Sequence, residues 1–127
     1  MRLIVAGGRD YNLTVCDLSR LAKLCERVNV TEIVHGDARG VDRTAAAWGK
    51  QHGYVVKDFP ADWDCVNGAP RHAQGAIRNT AMARYADAVV LFNGGKGTQN
   101  MYETAKKHGL RIFDYRSQAT VRRTLWT

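Results

Sequence analysis

An apolar run at residues 88–92 ends in Asn93 and then places three glycines, Gly94, Gly95 and Gly97, just before Thr98. A buried strand that gives way to glycines and then a hydroxyl residue reads as a strand turning directly into a helix. Glycine lets the backbone turn sharply and approach another group closely, and threonine can cap the helix. The first amides of a helix have no partner inside it and attract anions. The stretch therefore reads either as the floor of a phosphate-binding cleft or as an ordinary glycine-rich turn.

The pattern of strand, glycine loop and helix recurs. Residues 2–6 read as a buried strand broken by Gly7-Gly8 before Arg9-Asp10-Tyr11. Thr14 and Asp17 form a capping box, and Val15, Leu18, Leu21, Ala22, Cys25 and Val28 hold a helical period until Asn29. Residues 32–35 make a second strand that stops at Gly36-Asp37-Ala38-Arg39-Gly40. A second helix over 41–52 turns Ala45, Trp48 and Val41 inward, with Gly53 at its C-terminal end. Residues 54–59 are a third strand, followed by an irregular stretch over 61–74 that carries Asp62, Trp63, Arg71 and His72. The period predicts a third helix over 76–86 with Ile77, Ala81 and Tyr85 on one stripe and Met82 beside it. A fourth strand over 87–92, a fourth helix over 98–108, a fifth strand over 110–115 and a terminal helix over 117–127, with Val121 and Leu125 inward, complete the chain.

Strands alternating with helices through short connections imply an α/β fold, a Rossmann-like, doubly wound parallel sheet of about five strands with helices on both faces. At 127 residues and 14.2 kDa the chain suits a single unit over 1–127. Ligands of such sheets bind at the carboxyl ends of the strands. The loops there are 7–11, 36–42, 60–64 and 93–98, and each holds glycines, charges or an aromatic residue.

Composition sets the remaining bounds. No apolar run nears the roughly 20 residues that cross a bilayer, and the opening residues lack a cleavage signal, so a cytoplasmic protein without a membrane partner is expected. Cys16, Cys25 and Cys65 form no CxxC pair, and His35, His52, His72 and His108 are scattered, so no metal and no resident cofactor is expected. Cys16 and Cys25 read as core thiols. The net charge of +7 favours anionic partners, nucleotides and single strands among them, or simply solubility.

Taken together, Gly7-Gly8-Arg9-Asp10-Tyr11, His35-Gly36-Asp37-Ala38-Arg39-Gly40-Val41-Asp42-Arg43, Ala61-Asp62-Trp63, Ile77-Arg78-Asn79 with Met82, and Gly94-Gly95-Lys96-Gly97-Thr98 with Asn100-Met101 resemble the YspA-type, YpsA-related branch of the SLOG superfamily. The resemblance spans nearly the whole chain in order. It implies a Rossmann-like fold and kinship with phosphoribohydrolases that release cytokinin bases, with the DNA-processing protein DprA, and with sensor domains for nucleotide or NAD-derived signals. The branch itself is known mainly as predicted nucleotide-binding proteins, many from phages and mobile elements. Relatives often dimerise through helices beside the site, so a dimer is expected.

One departure bears on chemistry. The phosphoribohydrolases carry a PGGxGT motif followed by glutamates, one of which acts with an arginine of the preceding helix. Here Asn93 stands for the proline, and Asn100 and Met101 occupy the two glutamate positions, whereas Arg78 matches the arginine. Anion binding is retained on this reading and the carboxylate chemistry is lost.

The candidate ligand-binding residues follow. Gly94, Gly95, Gly97 and Thr98 offer amides and a hydroxyl to a phosphate, with Asn100 on the same helix. Arg78, with Asn79 beside it, adds a charged contact or forms a salt bridge with Asp10 or Asp42. Gly7 and Gly8 let the first loop approach, while Arg9 and Asp10 contact the ligand or pair with each other. Gly36, Asp37, Arg39, Gly40 and Asp42 line the second loop, where the aspartates accept from ribose hydroxyls or Asp42 caps the second helix. Trp63 stacks on a base or closes the core. The leading expectation is a small nucleotide bound for sensing or sequestration. The alternatives are a phosphoribohydrolase or nucleotide N-glycosidase using Asp37 or Asp42, and a single-strand nucleic-acid binder, the last disfavoured by the lack of interleaved aromatics.

Overall fold

The computed structural model describes residues 1–126. Its elements in chain order are β1 (Arg2–Ala6), α1 (Val15–Arg27), β2 (Glu32–His35), α2 (Val41–Gln51), β3 (Val55–Asp58), a 3-10 turn (Arg71–Ala73), α3 (Gln74–Tyr85), β4 (Ala88–Leu91), α4 (Lys96–Lys107), β5 (Arg111–Asp114) and α5 (Gln118–Trp126). The five strands are parallel in the order β3-β2-β1-β4-β5, the Rossmann-like arrangement expected.

Alternation along the central strands builds two cores. Leu3 and Val5 of β1, Ile33 of β2 and Val90 of β4 point to one face, where Leu21, Leu24 and Cys25 of α1 and Val41, Ala45 and Trp48 of α2 cover them. Ile4, Ala6, Val34, Val89 and Leu91 point to the other, under Met82 and Ala83 of α3 and Met101 and Ala105 of α4. Each large aliphatic side chain buried this way contributes about 1.5–3 kcal/mol. Trp48 is core, as expected, stacked between His52 and Tyr54 at ring separations of 4.5 and 5.6 Å.

Helix ends follow local chemistry. The Thr14–Asp17 capping box opens α1, with Asp17 N donating to Thr14 Oγ1 at 3.1 Å and Thr14 N donating to Asp17 Oδ2 at 3.0 Å. Gly53 and Gly109, at φ +82° and +72°, close α2 and α4.

Several local expectations need correction. The helix after the glycine loop starts at Lys96 with Gly95 as its N-cap, so Thr98 lies inside the first turn and caps nothing. On α3, Ile77 is 42% exposed, Ala81 is exposed and Tyr85 is half-buried, whereas Gln74, Asn79, Met82 and Ala83 are buried. This helix turns polar residues inward because its first half borders a cleft, so its apolar period misleads. Cys16 is exposed on α1, Val15 is 84% exposed at its first position, and Leu125 of α5 is 62% exposed. The terminal helix was expected to reach Thr127, which lies outside the described residues.

Candidate functional site

The strand order reverses between β1 and β4, because the chain winds outward to β2 and β3 and then crosses to β4 and β5 on the other side. The loops leaving β1 and β4 therefore lead to helices on opposite faces of the sheet, and that reversal is the position where such sheets take ligands. Gly8 N donates to Asn93 O at 2.9 Å, and Val41 N donates to Gly8 O at 3.2 Å. The first loop is thus tied both to the β4 loop and to the start of α2.

That stitching explains several glycines. A Cβ on Gly7 would lie 2.6 Å from Val41 Cγ2. Gly40, at φ +79°, packs on the carbonyls of Gly8 and Arg9, and a Cβ on Gly94 would overlap Thr98 Oγ1 and come within 2.6 Å of Gly8 N. Gly40 and Gly94 accordingly serve loop packing, and neither lines the central cleft.

The central cleft has a volume of about 500 Å³. Its floor is the N-terminus of α4. Gly95 caps that helix without any side-chain bond, and the backbone ladder begins with Gln99 N donating to Gly95 O at 3.1 Å. The earlier amides sit on residues that line the cleft, Lys96, Gly97 and Thr98. Added methyls on Gly95 and Gly97 would meet nothing within 4 Å, so this stretch of backbone stands open to an incoming group.

Gly7, Gly8, Arg9 and Asp10 line one wall of the cleft, and Asp42 and Trp63 another. Arg78, Asn79 and Asn100 form the back. Arg78 is half-buried, and its Nη1 donates to Gly36 O at 2.6 Å while its Nε donates to Asn79 Oδ1 at 3.0 Å. Burial pulls its pKa down against the pull of the Asp42 charge, with Arg9 adding to the fall. An arginine keeps its proton regardless, so the cleft holds a fixed cation. None of the ion pairs among the described residues includes Arg78. The salt bridge envisaged with Asp10 or Asp42 does not form, since Asp10 pairs with Arg39 at 3.0 Å.

Asp42 is buried and belongs to the first turn of α2, whose N-cap is Gly40. It therefore does not cap the helix. Its Oδ2 accepts from Gly36 N at 3.0 Å and Ala38 N at 3.4 Å, which shapes the loop after β2. Burial pushes its carboxyl up to about 6, and Arg78 and the two amides only partly counter this. Asn100, at a position where the phosphoribohydrolases carry glutamate, accepts on Oδ1 from Asn79 Nδ2 at 2.9 Å. That bond ties α3 to α4 behind the cleft.

Gly36, Asp37 and Arg39 line a neighbouring cleft of about 460 Å³, which shares Arg9, Trp63 and Arg78 with the first. Trp63 is 38% exposed between the two, with the guanidinium carbons of Arg9 and Arg71 at 5.5 and 5.3 Å from the ring centre. The mutual Arg9–Asp10 pair considered from the sequence is absent among the described ion pairs. The loop carrying Trp63 is ordered by its own bonds. Asp62 accepts from Val66 N at 3.2 Å and Asn67 N at 2.9 Å, and Asn67 and Gln74 exchange two side-chain bonds.

Sequence reasoning passed over Arg43, Arg71, Lys96 and His72 as lining residues. The irregular stretch around Arg71 was the available signal, but nothing in its spacing aims that side chain at the first loop. His35 was also passed over. It is buried, its Nδ1 accepts from Asp37 N at 3.0 Å, and burial lowers its pKa, so it is neutral and holds Asp37 at φ +56°. Among the described residues no cluster of His, Cys, Asp or Glu could hold a metal ion, and no helix is long and apolar enough to cross a membrane.

An open parallel sheet with a glycine-lined crevice at its switch point defines a Rossmann-like α/β protein. Residues 1–65 match the family described as YspA, cpYpsA-related SLOG family, and the chain belongs to it. Membership points to nucleotide-related binding or processing. The match runs from β1 through β3 to Cys65, so Arg78 and the glycine loop of α4 lie beyond it. No curated protein matches the chain.

Proposed function

We propose that the protein binds a small nucleotide, or an NAD-derived one, and senses or sequesters it without turnover. The observation that carries this reading is the meeting of an uncapped helix start, Gly95 to Thr98, with the Arg78 guanidinium across one cleft of about 500 Å³. Helix amides and a bidentate-capable arginine are the donors a phosphate takes. The asparagine tie at the glutamate position supports binding without hydrolysis. Calorimetry against a panel of nucleoside monophosphates and NAD, with chromatography of the ligand recovered unchanged, tests it. Absence of binding across that panel refutes it.

A second reading, cleavage of an N-glycosidic bond, is favoured by Asp42. A carboxyl in the cleft with a pKa of about 6 is poised to move a proton near neutral pH. Release of free base from nucleoside 5′-monophosphates, abolished by Asp42→Asn, decides for this reading. Base release that survives the substitution removes Asp42 from it.

A further inference from the structure

The neighbouring cleft of about 460 Å³ is lined by Arg9, Arg39, Arg43, Arg71 and Arg78 against the single carboxylate of Asp37. Two of these arginines have partial partners at the surface, Arg39 with Asp10 at 3.0 Å and Arg43 with Asp37 at 3.8 Å. Both pairs are well exposed to solvent, and such pairs hold their partners weakly. Arg9, Arg71 and Arg78 enter none of the ion pairs among the described residues.

Arg9 and Arg71 instead lie beside the Trp63 ring, and Arg71 Nη1 donates to Trp63 O at 3.4 Å. The loop that carries Trp63 and Arg71 is held by Asp62 and by the Asn67–Gln74 exchange. Like charges collected in a concavity repel one another and focus a positive potential there, which an anion relieves. Arginine is also the side chain best shaped to grip a phosphate.

We propose that this arginine-lined cleft is a second anion subsite, so that the ligand is a nucleoside bearing two separated phosphates, one at the α4 N-terminus and the other at Arg43 and Arg71. The proposal rests on the nucleotide reading above. Arg78, Arg9 and Trp63 form the wall common to both clefts, where the sugar and base between two phosphates would lie. Two sources share that chemistry, a nucleoside 3′,5′-bisphosphate and a 5′-phosphorylated dinucleotide.

The test is calorimetry of the full chain at fixed salt with adenosine 5′-monophosphate, adenosine 3′,5′-bisphosphate, the dinucleotide pApA and a 12-nucleotide single strand. At least one two-phosphate probe is expected to bind about tenfold or more tightly than the monophosphate. Which one does so identifies the source. Arg43→Gln with Arg71→Gln should cut that advantage below about threefold and leave the monophosphate affinity unchanged, whereas the corresponding lysine pair should keep part of it. Equal affinity for one and two phosphates, or an advantage that survives the glutamine pair, overturns the second subsite alone. Failure of every probe overturns this proposal, and the nucleotide reading falls with it where the nucleoside monophosphate and NAD panel also shows no binding. Affinity that keeps rising to the 12-nucleotide strand overturns a two-phosphate ligand in favour of strand binding.

Discussion

Arg78 Nη1 donates to the carbonyl oxygen of Gly36 at 2.6 Å, across 42 residues of sequence. The bond joins α3 to the loop after β2, and it works only because residue 36 has no side chain. A Cβ there would overlap the guanidinium itself. The far end of a flexible side chain can yield, so the conflict falls on the aim of Arg78 and not on the fold.

Gly36→Ala should therefore weaken nucleotide binding about tenfold with little change in stability. Arg78→Ala should cost about 1.5–3 kcal/mol of binding, ten- to hundredfold. In the Arg78→Ala background Gly36→Ala should have no further effect on affinity. A double-mutant cycle by calorimetry checks this, and additive losses would mean that Gly36 acts on the ligand by another route.

Gly97→Ala separates folding from binding at the start of α4. An added methyl meets nothing within 4 Å, and Gly97 lies within the helix. The substitution should raise stability by about 0.4–1 kcal/mol through the unfolded chain, as helical alanine does. It should lower affinity for any phosphate seated on those amides. Urea unfolding and calorimetry on the same sample read both effects, and unchanged affinity would move the phosphate away from α4.

Gly40→Ala should behave in the opposite way. The residue sits at φ +79° with the carbonyls of Gly8 and Arg9 packed against it, and neither backbone group has a rotamer with which to retreat. A loss of about 1–3 kcal/mol or more is expected in urea unfolding. A neutral result would show that the stitching of the β1 loop to α2 is slack.

Asp42 makes stability depend on pH in a direction unusual for a carboxylate. Its folded pKa, about 6, lies above the ordinary 3.8, so the folded state binds the proton more tightly than the unfolded chain. The contribution is fully present below pH 3.8 and is lost as pH rises to 6, after which the buried charge costs about 3 kcal/mol. Asp42→Asn keeps an oxygen for the amides of Gly36 and Ala38 and should stabilise the protein by about 2–3 kcal/mol at pH 8, with a gain of only about 0.5 kcal/mol at pH 4. Urea midpoints at the two pH values check this. A gain of equal size at both would remove titration as the cause.

The α/β class and most element positions were readable because the relevant signals are local. The short strand patterns at 2–6, 32–35 and 88–92, the Thr14–Asp17 box and the helix-closing Gly53 each act within a few residues of themselves. The inner face of α3 was misjudged for a reason of the same kind. Periodicity counts apolar residues, and where a helix borders a cleft its buried stripe is partly polar, as Gln74 and Asn79 are here. The gathering of the 7–11, 36–42, 60–64 and 93–98 loops at one rim followed from the class of fold alone.

What those loops do to one another was decided only in three dimensions. From the sequence, Gly40, Gly94 and Gly97 are equivalent flexible residues; packing makes the first two spacers between loops and leaves the third open in the cleft. Asp42 and Asp37 are likewise equal carboxylates until burial sets the first apart. Arg71 has no connection with Arg9 until the 61–74 loop folds back and sets both against Trp63. The order of residues determined the elements and the rim on which they converge, because hydrogen bonding and hydrophobic period act along the chain. Burial, charge clustering and close approach are sums over residues distant in sequence, and only the tertiary structure performs those sums.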